Sequence, residues 1–277
     1  MHDGNDKKNC PEFRLCVLIP YFNNPAGLLK SLESIFFEGN SCLVLIVNDG
    51  SRLVPSEKEL EEAVAGKYIV KWIQQDQNRG IVYALNVGLD WIRNNGNSEY
   101  IARLDCGDIC SRARFNRQVT WLQDHPESIL VGSWCEFRNY ALKFRYLYKT
   151  PTEDGEIRKG MYYRNLFIHP TVMWRENQAE GLKYSEEFQH TEDYGFFFEL
   201  MDKGKVEILP EVLVTAEINP GGISLKGRRA QLKGRWQVIS CYGNHPFRRL
   251  AGKIRLAFLF CMPASLVMWW KKRFSGT

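Results

Sequence analysis

Several features are missing from this 277-residue chain, and each absence excludes a class of protein. Its eight cysteines include no Cys-x-x-Cys pair, which argues against a zinc ribbon or a dithiol redox centre. Most of them lie in apolar runs, so we interpret them as reduced, buried thiols of a cytosolic protein. Residues 1–11 contain no apolar stretch of the kind that a secretory signal requires. Internal repeats and low-complexity segments are also absent.

Acidic residues are missing after Glu217, although twelve lysines and arginines lie between Lys226 and Arg273. All 32 acidic residues therefore precede this tail, while the chain as a whole has 37 basic residues. An acidic body with a wholly basic tail predicts that the tail binds an anionic partner.

The tail also contains an apolar run, Leu256 to Trp270, which basic residues flank on both sides. It is shorter than the roughly 20 residues of a membrane-spanning helix, and Pro263 interrupts it. Tryptophan and lysine at its end are typical of the membrane interface. We expect residues 218–277 to form a basic, apolar helical region on an anionic membrane surface; a helix packed on the core is the alternative. Nucleic acid is not an expected partner, because the basic residues flank a hydrophobic block instead of alternating with aromatics.

Short apolar runs alternate with helical patterns over the first half of the chain. Strands are predicted at residues 15–19, 43–47, 68–73, 100–104, 129–132 and 206–209, and helices after Asn24-Pro25 and at 56–65, 80–89, 115–122 and 192–203. Residues 137–164 are predicted to be irregular. The alternation predicts an α/β fold with a mostly parallel central sheet flanked by helices.

Two carboxylates, Asp105 and Asp108, follow the strand predicted at residues 100–104, with Gly107 between them. Ligands of open α/β sheets bind beyond the carboxyl ends of the strands. Paired carboxylates at that place suit a hard divalent cation that also holds substrate phosphates. An ordinary turn or helix cap is the alternative interpretation.

Six segments occur in the order typical of the family 2 inverting glycosyltransferases, which have the nucleotide-diphospho-sugar transferase fold called GT-A. The chain resembles this family, in particular its bacterial surface-polysaccharide (O-antigen) branch, over residues 15–213. The segments are IPYFN (19–23), VNDGS (47–51), NRG (78–80) with Ala84, Asn86 and Gly88, RLDCGD (103–108), HPT (169–171) and TEDY (191–194).

The resemblance implies a nucleotide-sugar site and a divalent metal, Mn²⁺ or Mg²⁺. The donor-binding residues would be Pro20, Tyr21, Asn23, Asp49, Asn78, Arg79, Gly80, Asp105 and Gly107. In this interpretation Tyr21 offers an apolar face to the nucleobase, Asp49 accepts a hydrogen bond from the base, and Arg79 meets a phosphate. Asp108 would bind the metal directly and Asp105 the ribose or the metal. The family has an acid where this chain has Gly107, so which of the two aspartates binds the metal stays open.

Asp193, beside Glu192, is the catalytic base that the resemblance implies. A base must take the proton of the acceptor hydroxyl while a cation neutralises the leaving diphosphate. Because Asp193 would begin a helix, we expect a low pKa for its carboxyl group. The same position makes simple helix capping the alternative role.

These observations predict a GT-A domain at residues 12–217, with a nucleotide-binding half at about 12–110 and an acceptor half at about 111–217. The expected activity is inverting transfer of a sugar from a nucleotide-diphospho-sugar to a lipid-linked glycan, peripherally on the cytoplasmic side of the inner membrane. The alternatives are a catalytically inactive nucleotide-sugar-binding assembly subunit, a sugar nucleotidyltransferase and a membrane-bound scaffold. The nucleotidyltransferase lacks support, because no Gly-rich basic loop follows the first strand.

Overall fold

Nine strands form one sheet in the residues that the computed structural model describes, which are 12–39, 41–96, 98–139, 143–188, 190–218 and 227–262. The strands are β1 (Phe13–Tyr21), β2 (Cys42–Asn48), β3 (Ile69–Gln74), β4 (Ser98–Arg103), β5 (Ile109–Cys110), β6 (Ser128–Asn139), β7 (Phe144–Tyr148), β8 (Met173–Arg175) and β9 (Lys205–Glu217). The helices are α1 (Pro25–Glu33), α2 (Glu57–Ala63), α3 (Ile81–Trp91), α4 (Arg114–Asp124), α5 (Asp154–Gly160), α6 (Glu192–Lys203), α7 (Arg228–Tyr242) and α8 (Pro246–Cys261).

The strand order is β3-β2-β1-β4-β8-β6-β9-β5, with β7 paired to β6. The long ladders, β1 with β2 and β4, β2 with β3, and β6 with β9, are parallel. The short strand β8 is antiparallel to both β4 and β6 and joins the two parallel parts. Strands β1 to β4 therefore end at one edge of the sheet, where the polar segments follow them.

Both faces of the sheet are covered by helices. Alternate residues of β1, such as Val17 and Ile19, pack with α1, α2 and α4, while Cys16 and Leu18 face a second cluster formed with α3, α5, α6, α7 and α8. Local signals start the helices: the Asn24 side chain accepts the Gly27 N–H before α1, and Ser56 forms a reciprocal capping box before α2.

The predicted α/β architecture is confirmed, with two corrections along the chain. Residues 137–164, predicted to be irregular, contain the end of β6, strand β7 and helix α5. Strands β6 and β9 also extend well beyond 129–132 and 206–209, because they pair with each other over most of their length. Seven cysteines lie in the described ranges, and all seven are free thiols. Four of them are buried as predicted, whereas Cys241 and Cys261 are exposed, so the prediction of burial was wrong for these two.

The C-terminal region contributes two helices that pack on the sheet's second face. Tyr242 of α7 stacks against Phe198 of α6, and Gly252 of α8 lies so close to the Tyr162 carbonyl that a Cβ would approach it within 2.2 Å. In the described ranges, no helix has the length and apolarity needed to cross a membrane. Residues 263–270 of the predicted apolar run lie outside these ranges, and the division at residue 217 stays a prediction.

The turn after β2 depends on a glycine. Gly50 has φ +69°, and a Cβ there would meet the Gln77 carbonyl carbon at 2.3 Å. We expect Gly50→Ala to lower the free energy of unfolding by roughly 2–4 kcal/mol. The alanine would be strained in the left-handed backbone conformation, and its Cβ would collide with the Gln77 backbone. Urea unfolding measures the effect, with Gly66→Ala as the matched control, since Gly66 has φ +62° and open space around it. Equal losses in both variants would contradict the role of the Gln77 contact.

Candidate active site

The loops after β2 and β3 are held together by Asp49. Its Oδ1 and Oδ2 atoms accept the backbone N–H groups of Arg79 and Gly80, each at 2.8 Å. Arg79 itself is exposed and places its guanidinium 3.7 Å from the centre of the Tyr83 ring. Gly80 has φ +92° and open space where a Cβ would be. The carboxylate of Asp49 thus shapes an exposed backbone surface, and the side chains of Asn78 and Arg79 lie beside it.

The structure corrects the role predicted for Tyr21. Its ring is buried in the core 5.4 Å from Trp72, and its hydroxyl donates to the Leu53 carbonyl. Burial against the sheet therefore leaves no free face for a nucleobase. Asn23, in contrast, lies at the surface, where its Oδ1 accepts the N–H groups of Arg52 and Leu53. Pro20, which precedes Tyr21 on β1, is partly exposed.

A buried arginine connects Asp105 to the next part of the site. Arg103 is fully buried and forms an ion pair with Asp105 at 2.5 Å. Its Nε donates to His169 Nε2 at 3.2 Å, and the Tyr184 hydroxyl bonds to the same nitrogen at 2.9 Å. Burial, and then the Arg103 charge, lower the pKa of His169 well below its ordinary value. His169 is therefore a neutral, buried residue whose ring holds Arg103 and Tyr184 in place.

Asp108 points into a different pocket from that network. Its Oδ1 accepts the Glu217 N–H at 3.2 Å, and it lines a cavity of about 220 Å³ together with Asn24, Lys30 and Glu217. Burial, followed by the charge of Asp105, raises the pKa of Asp108 well above its ordinary value. A nearby cation would relieve both effects, so the carboxyl group suits a cation site.

The backbone of the loop between Asp105 and Asp108 explains why this chain has Gly107 where the family has a third acid. Gly107 has φ +105°, a conformation that L side chains rarely adopt, and its N–H donates to the buried Ser31 hydroxyl at 2.9 Å. No group of three or more metal-binding side chains occurs in the described part of the chain. Asp105 and Asp108 fit a metal only if it is shared with substrate phosphates, since magnesium often takes one or two protein carboxylates.

Asp193 occupies a partly buried position at the start of α6. Its Oδ2 accepts from Asn165 Nδ2 and its Oδ1 from its neighbour's N–H, each at 2.8 Å. Desolvation, and then the charge of Glu192, raise the pKa of Asp193 to about 7. The expected low pKa was wrong, because burial beside a second acid outweighs the helix terminus. Desolvation also raises the pKa of Glu192, and Asp105 contributes to both shifts. The structure therefore brings Asp105, Glu192 and Asp193 together.

Sequence reasoning gave no role to four residues that shape this site. Arg103 begins the family segment RLDCGD, so its place two residues before Asp105 could have indicated a role in the site. Asn165, Glu217 and Arg235 offered none, because they belong to distant segments and meet the aspartates only after folding.

Comparison with known proteins supplies independent findings. A model of the family described as Glycosyl transferase family 2 matches residues 16–199. An uncharacterized glycosyltransferase of Haemophilus influenzae is 29% identical over 219 residues, which are 78% of this chain and 79% of the relative. Amylovoran biosynthesis glycosyltransferase AmsE of Erwinia amylovora is 28% identical, over 77% of this chain and 79% of the relative.

Solved structures share the fold. Staphylococcus aureus TarS 1-349 in complex with UDP-GlcNAc superposes with a TM-score of 0.63 at 16% identity, covering 90% of this chain and 71% of that one. Mannosyltransferase PcManGT from Pyrobaculum calidifontis, in complex with GDP-Man and Mn²⁺, gives a TM-score of 0.62 at 17% identity, covering 91% and 71%. These likenesses confirm the GT-A architecture predicted for this chain.

The raised pKa of Asp193 predicts a pH-dependent effect on stability. Between its ordinary pKa of 3.8 and its folded value of about 7, the unfolded chain loses the proton first, so the wild type becomes less stable as pH rises. Asp193→Asn cannot ionise. We expect its unfolding free energy, relative to wild type, to increase by on the order of 2–4 kcal/mol between about pH 4 and pH 8. Urea unfolding measures this. The control is Asp202→Asn, at an exposed position on the same helix. If the difference in unfolding free energy between Asp193→Asn and wild type did not change with pH, the raised pKa of Asp193 would be contradicted.

Proposed function

The chain belongs to glycosyl transferase family 2, and on that premise we propose that it transfers a sugar from a nucleoside-diphosphate sugar to a hydroxyl of a lipid-linked glycan, with inversion at the anomeric carbon. Transfer of this kind needs a base for the hydroxyl proton and a site for the diphosphate at the carboxyl ends of the strands. The observation that carries the proposal is the environment of Asp193.

Asp193 has the properties of a general base that works near neutral pH. With a pKa of about 7, a large fraction of its carboxyl groups is ionised and still basic enough to accept a proton. The Asn165 amide holds one carboxylate oxygen and fixes the orientation of the group. Asp193 takes the acceptor's proton as the hydroxyl oxygen attacks the anomeric carbon from the face opposite the diphosphate. Glu192 contributes by raising the basicity of its neighbour.

The donor lies along the loops after β1, β2 and β3 in this proposal. Each carboxylate oxygen of Asp49 keeps a lone pair after accepting an amide N–H, and can accept a further hydrogen bond from the nucleobase. The open backbone at Gly80 permits close approach, and the exposed guanidinium of Arg79 binds the diphosphate. Asn23, Asn78 and Gly107 line the surrounding surface.

We assign the divalent metal to the two carboxylates of the loop after β4, which lie near enough for the charge of Asp105 to raise the pKa of Asp108. Asp105 and Asp108 would hold it, with Asp105 on the side of the catalytic pair. Bound Mn²⁺ or Mg²⁺ would neutralise charge on the leaving diphosphate. PcManGT, a mannosyltransferase with a similar fold, was solved with Mn²⁺ and GDP-Man, which supports this assignment.

The acceptor belongs to surface-polysaccharide synthesis in our proposal. Support comes from AmsE, the 28% identical relative that is described as an amylovoran biosynthesis glycosyltransferase. A membrane-bound acceptor also agrees with the surface of α8, on which Phe247, Leu250, Ile254 and Phe258 are 86%, 59%, 62% and 64% exposed. Their spacing of three and four residues places them on one helix face. Arg248, Arg249 and Lys253 flank that face, so it suits an anionic membrane at the cytoplasmic side.

A donor panel tests the activity. The full-length protein is incubated with individual nucleotide-sugars, Mn²⁺ or Mg²⁺ and an acceptor-containing membrane extract, and released nucleoside diphosphate is measured. We expect release from one donor, loss of release with EDTA, and a decrease of roughly 10²-fold or more in Asp193→Asn. The wild-type rate should rise with pH through about 7. Asp202→Asn is the control and should keep wild-type activity.

Two outcomes would contradict this proposal. Full activity of Asp193→Asn would remove the residue from the role of base. Metal-dependent donor binding without release would instead favour the inactive assembly subunit, for which the missing acid at Gly107 gives a reason.

Membrane association is tested separately. Full-length protein is sedimented with vesicles of phosphatidylcholine containing phosphatidylglycerol, and with vesicles of phosphatidylcholine alone. We expect the double variant Phe247→Ser/Ile254→Ser to bind the anionic vesicles at least about tenfold more weakly, since two exposed apolar side chains no longer enter the bilayer. The control is Leu147→Ser, at a 50% exposed position on β7. Equal binding by wild type and the double variant would exclude this face of α8 as the membrane contact.

A further inference from the structure

Three arginines from separate segments converge beside the catalytic pair. Arg164 follows α5, Arg235 lies on α7 and Arg255 lies on α8. Arg255 Nη1 donates to the Tyr163 carbonyl at 2.5 Å, and the Arg164 guanidinium lies 5.3 Å from the centre of the Tyr148 ring. Asn165, the next residue, donates to Asp193. Consecutive residues thus connect this arginine cluster to the catalytic base.

The cluster has an excess of positive charge. In the described part of the chain, none of its three members forms an ion pair with a carboxylate. Desolvation, and then the charges of Arg164 and Arg235, lower the pKa of Arg255. The same three guanidiniums oppose the rise that burial causes in the pKa of Tyr148. Because Arg164 and Arg235 lie near enough to Arg255 to lower its pKa, the three like charges favour binding of an anion among them.

The position of the cluster indicates which anion it binds. The donor-side residues Asp49 and Arg79 follow β2 and β3, whereas the arginines come from α7, α8 and the segment after α5. Asp105, which follows β4, lies near Asp193 and so adjoins both groups. Arg255 also shares α8 with the exposed Ile254 and Phe258. An anion bound here would lie near Asp193 and against the helix that carries the proposed membrane contact.

We propose that Arg164, Arg235 and Arg255 bind the phosphate or diphosphate that joins the acceptor glycan to its lipid. The inference rests on the proposed function and deepens it, because it specifies the acceptor. Guanidinium groups match phosphate oxygens in charge and geometry. Since the cluster adjoins Asp193, the phosphate lies close to the reacting hydroxyl, as in a lipid-linked glycan that has only begun to grow.

Binding of farnesyl diphosphate, a short isoprenoid diphosphate, tests the site by calorimetry on the full-length protein. Farnesol is the phosphate-free comparison, and UDP and GDP probe the donor site. We expect Arg235→Gln/Arg255→Gln to bind farnesyl diphosphate about tenfold or more weakly, from the loss of charge-assisted hydrogen bonds. The charge-conserving variant Arg235→Lys/Arg255→Lys should recover part of this loss. A matched control, Arg229→Gln/Lys233→Gln, removes two exposed charges from α7 and should bind like wild type.

Each contrary result points to a specific alternative. An equal loss in the control pair would mean general attraction to a charged surface, which would overturn the site. An equal loss of UDP or GDP affinity would assign the arginines to the donor. Equal binding of farnesol and farnesyl diphosphate by wild type would also overturn the proposal. Donor turnover is measured independently, so arginine-dependent binding without turnover would leave the site standing and reject the proposed activity.

Discussion

The buried guanidinium of Arg103 is the contact on which both fold and site depend. It joins the Leu18 carbonyl on β1, the His169 ring and the Asp105 carboxylate. Arg114, also fully buried, donates to the carbonyls of Arg103 and Val172 and so supports the change from parallel β4 to antiparallel β8. A buried charge without its partner costs several kcal/mol. Asp105 therefore stabilises the folded state even without a ligand. Its ion pair with the buried Arg103 fixes its position.

Opposed charges surround Asp193, the proposed base. Asp105 and Glu192 raise the pKa of Asp193, whereas Arg235 lowers it. In the proposed reaction, a cation held by Asp105 and Asp108 would lower the pKa of Asp193, while a phosphate on the arginine cluster would raise it. In this proposal, donor and acceptor would shift the pKa of the same carboxyl group in opposite directions, and its basicity would depend on which of them is bound. A site with an intermediate pKa responds most strongly to such changes near neutral pH.

Helix α8 connects the site to the surface. Gly252 permits its close packing on Tyr162, and Arg255 reaches the carbonyl of the next residue, Tyr163. The exposed side chains of Ile254 and Phe258 lie on the same helix. One helix therefore carries both an exposed apolar surface and Arg255, a combination that suits the lipid anchor and the phosphate of the proposed acceptor.

The sequence by itself determined the alternation of strands and helices, the caps at Asn24 and Ser56, and the edge at which Asp49 and Asp105 lie, because these depend on local patterns and parallel pairing. It also indicated Glu192 and Asp193 through their place in a family pattern. Only the tertiary structure decided the burial of Tyr21 and the pairing that extends β6 and β9. The raised pKa of Asp193 and the meeting of three distant arginines likewise depended on it. The burial of a side chain and the charges around it depend on segments that are far apart in the chain. A local sequence pattern contains no information on which of these segments come together.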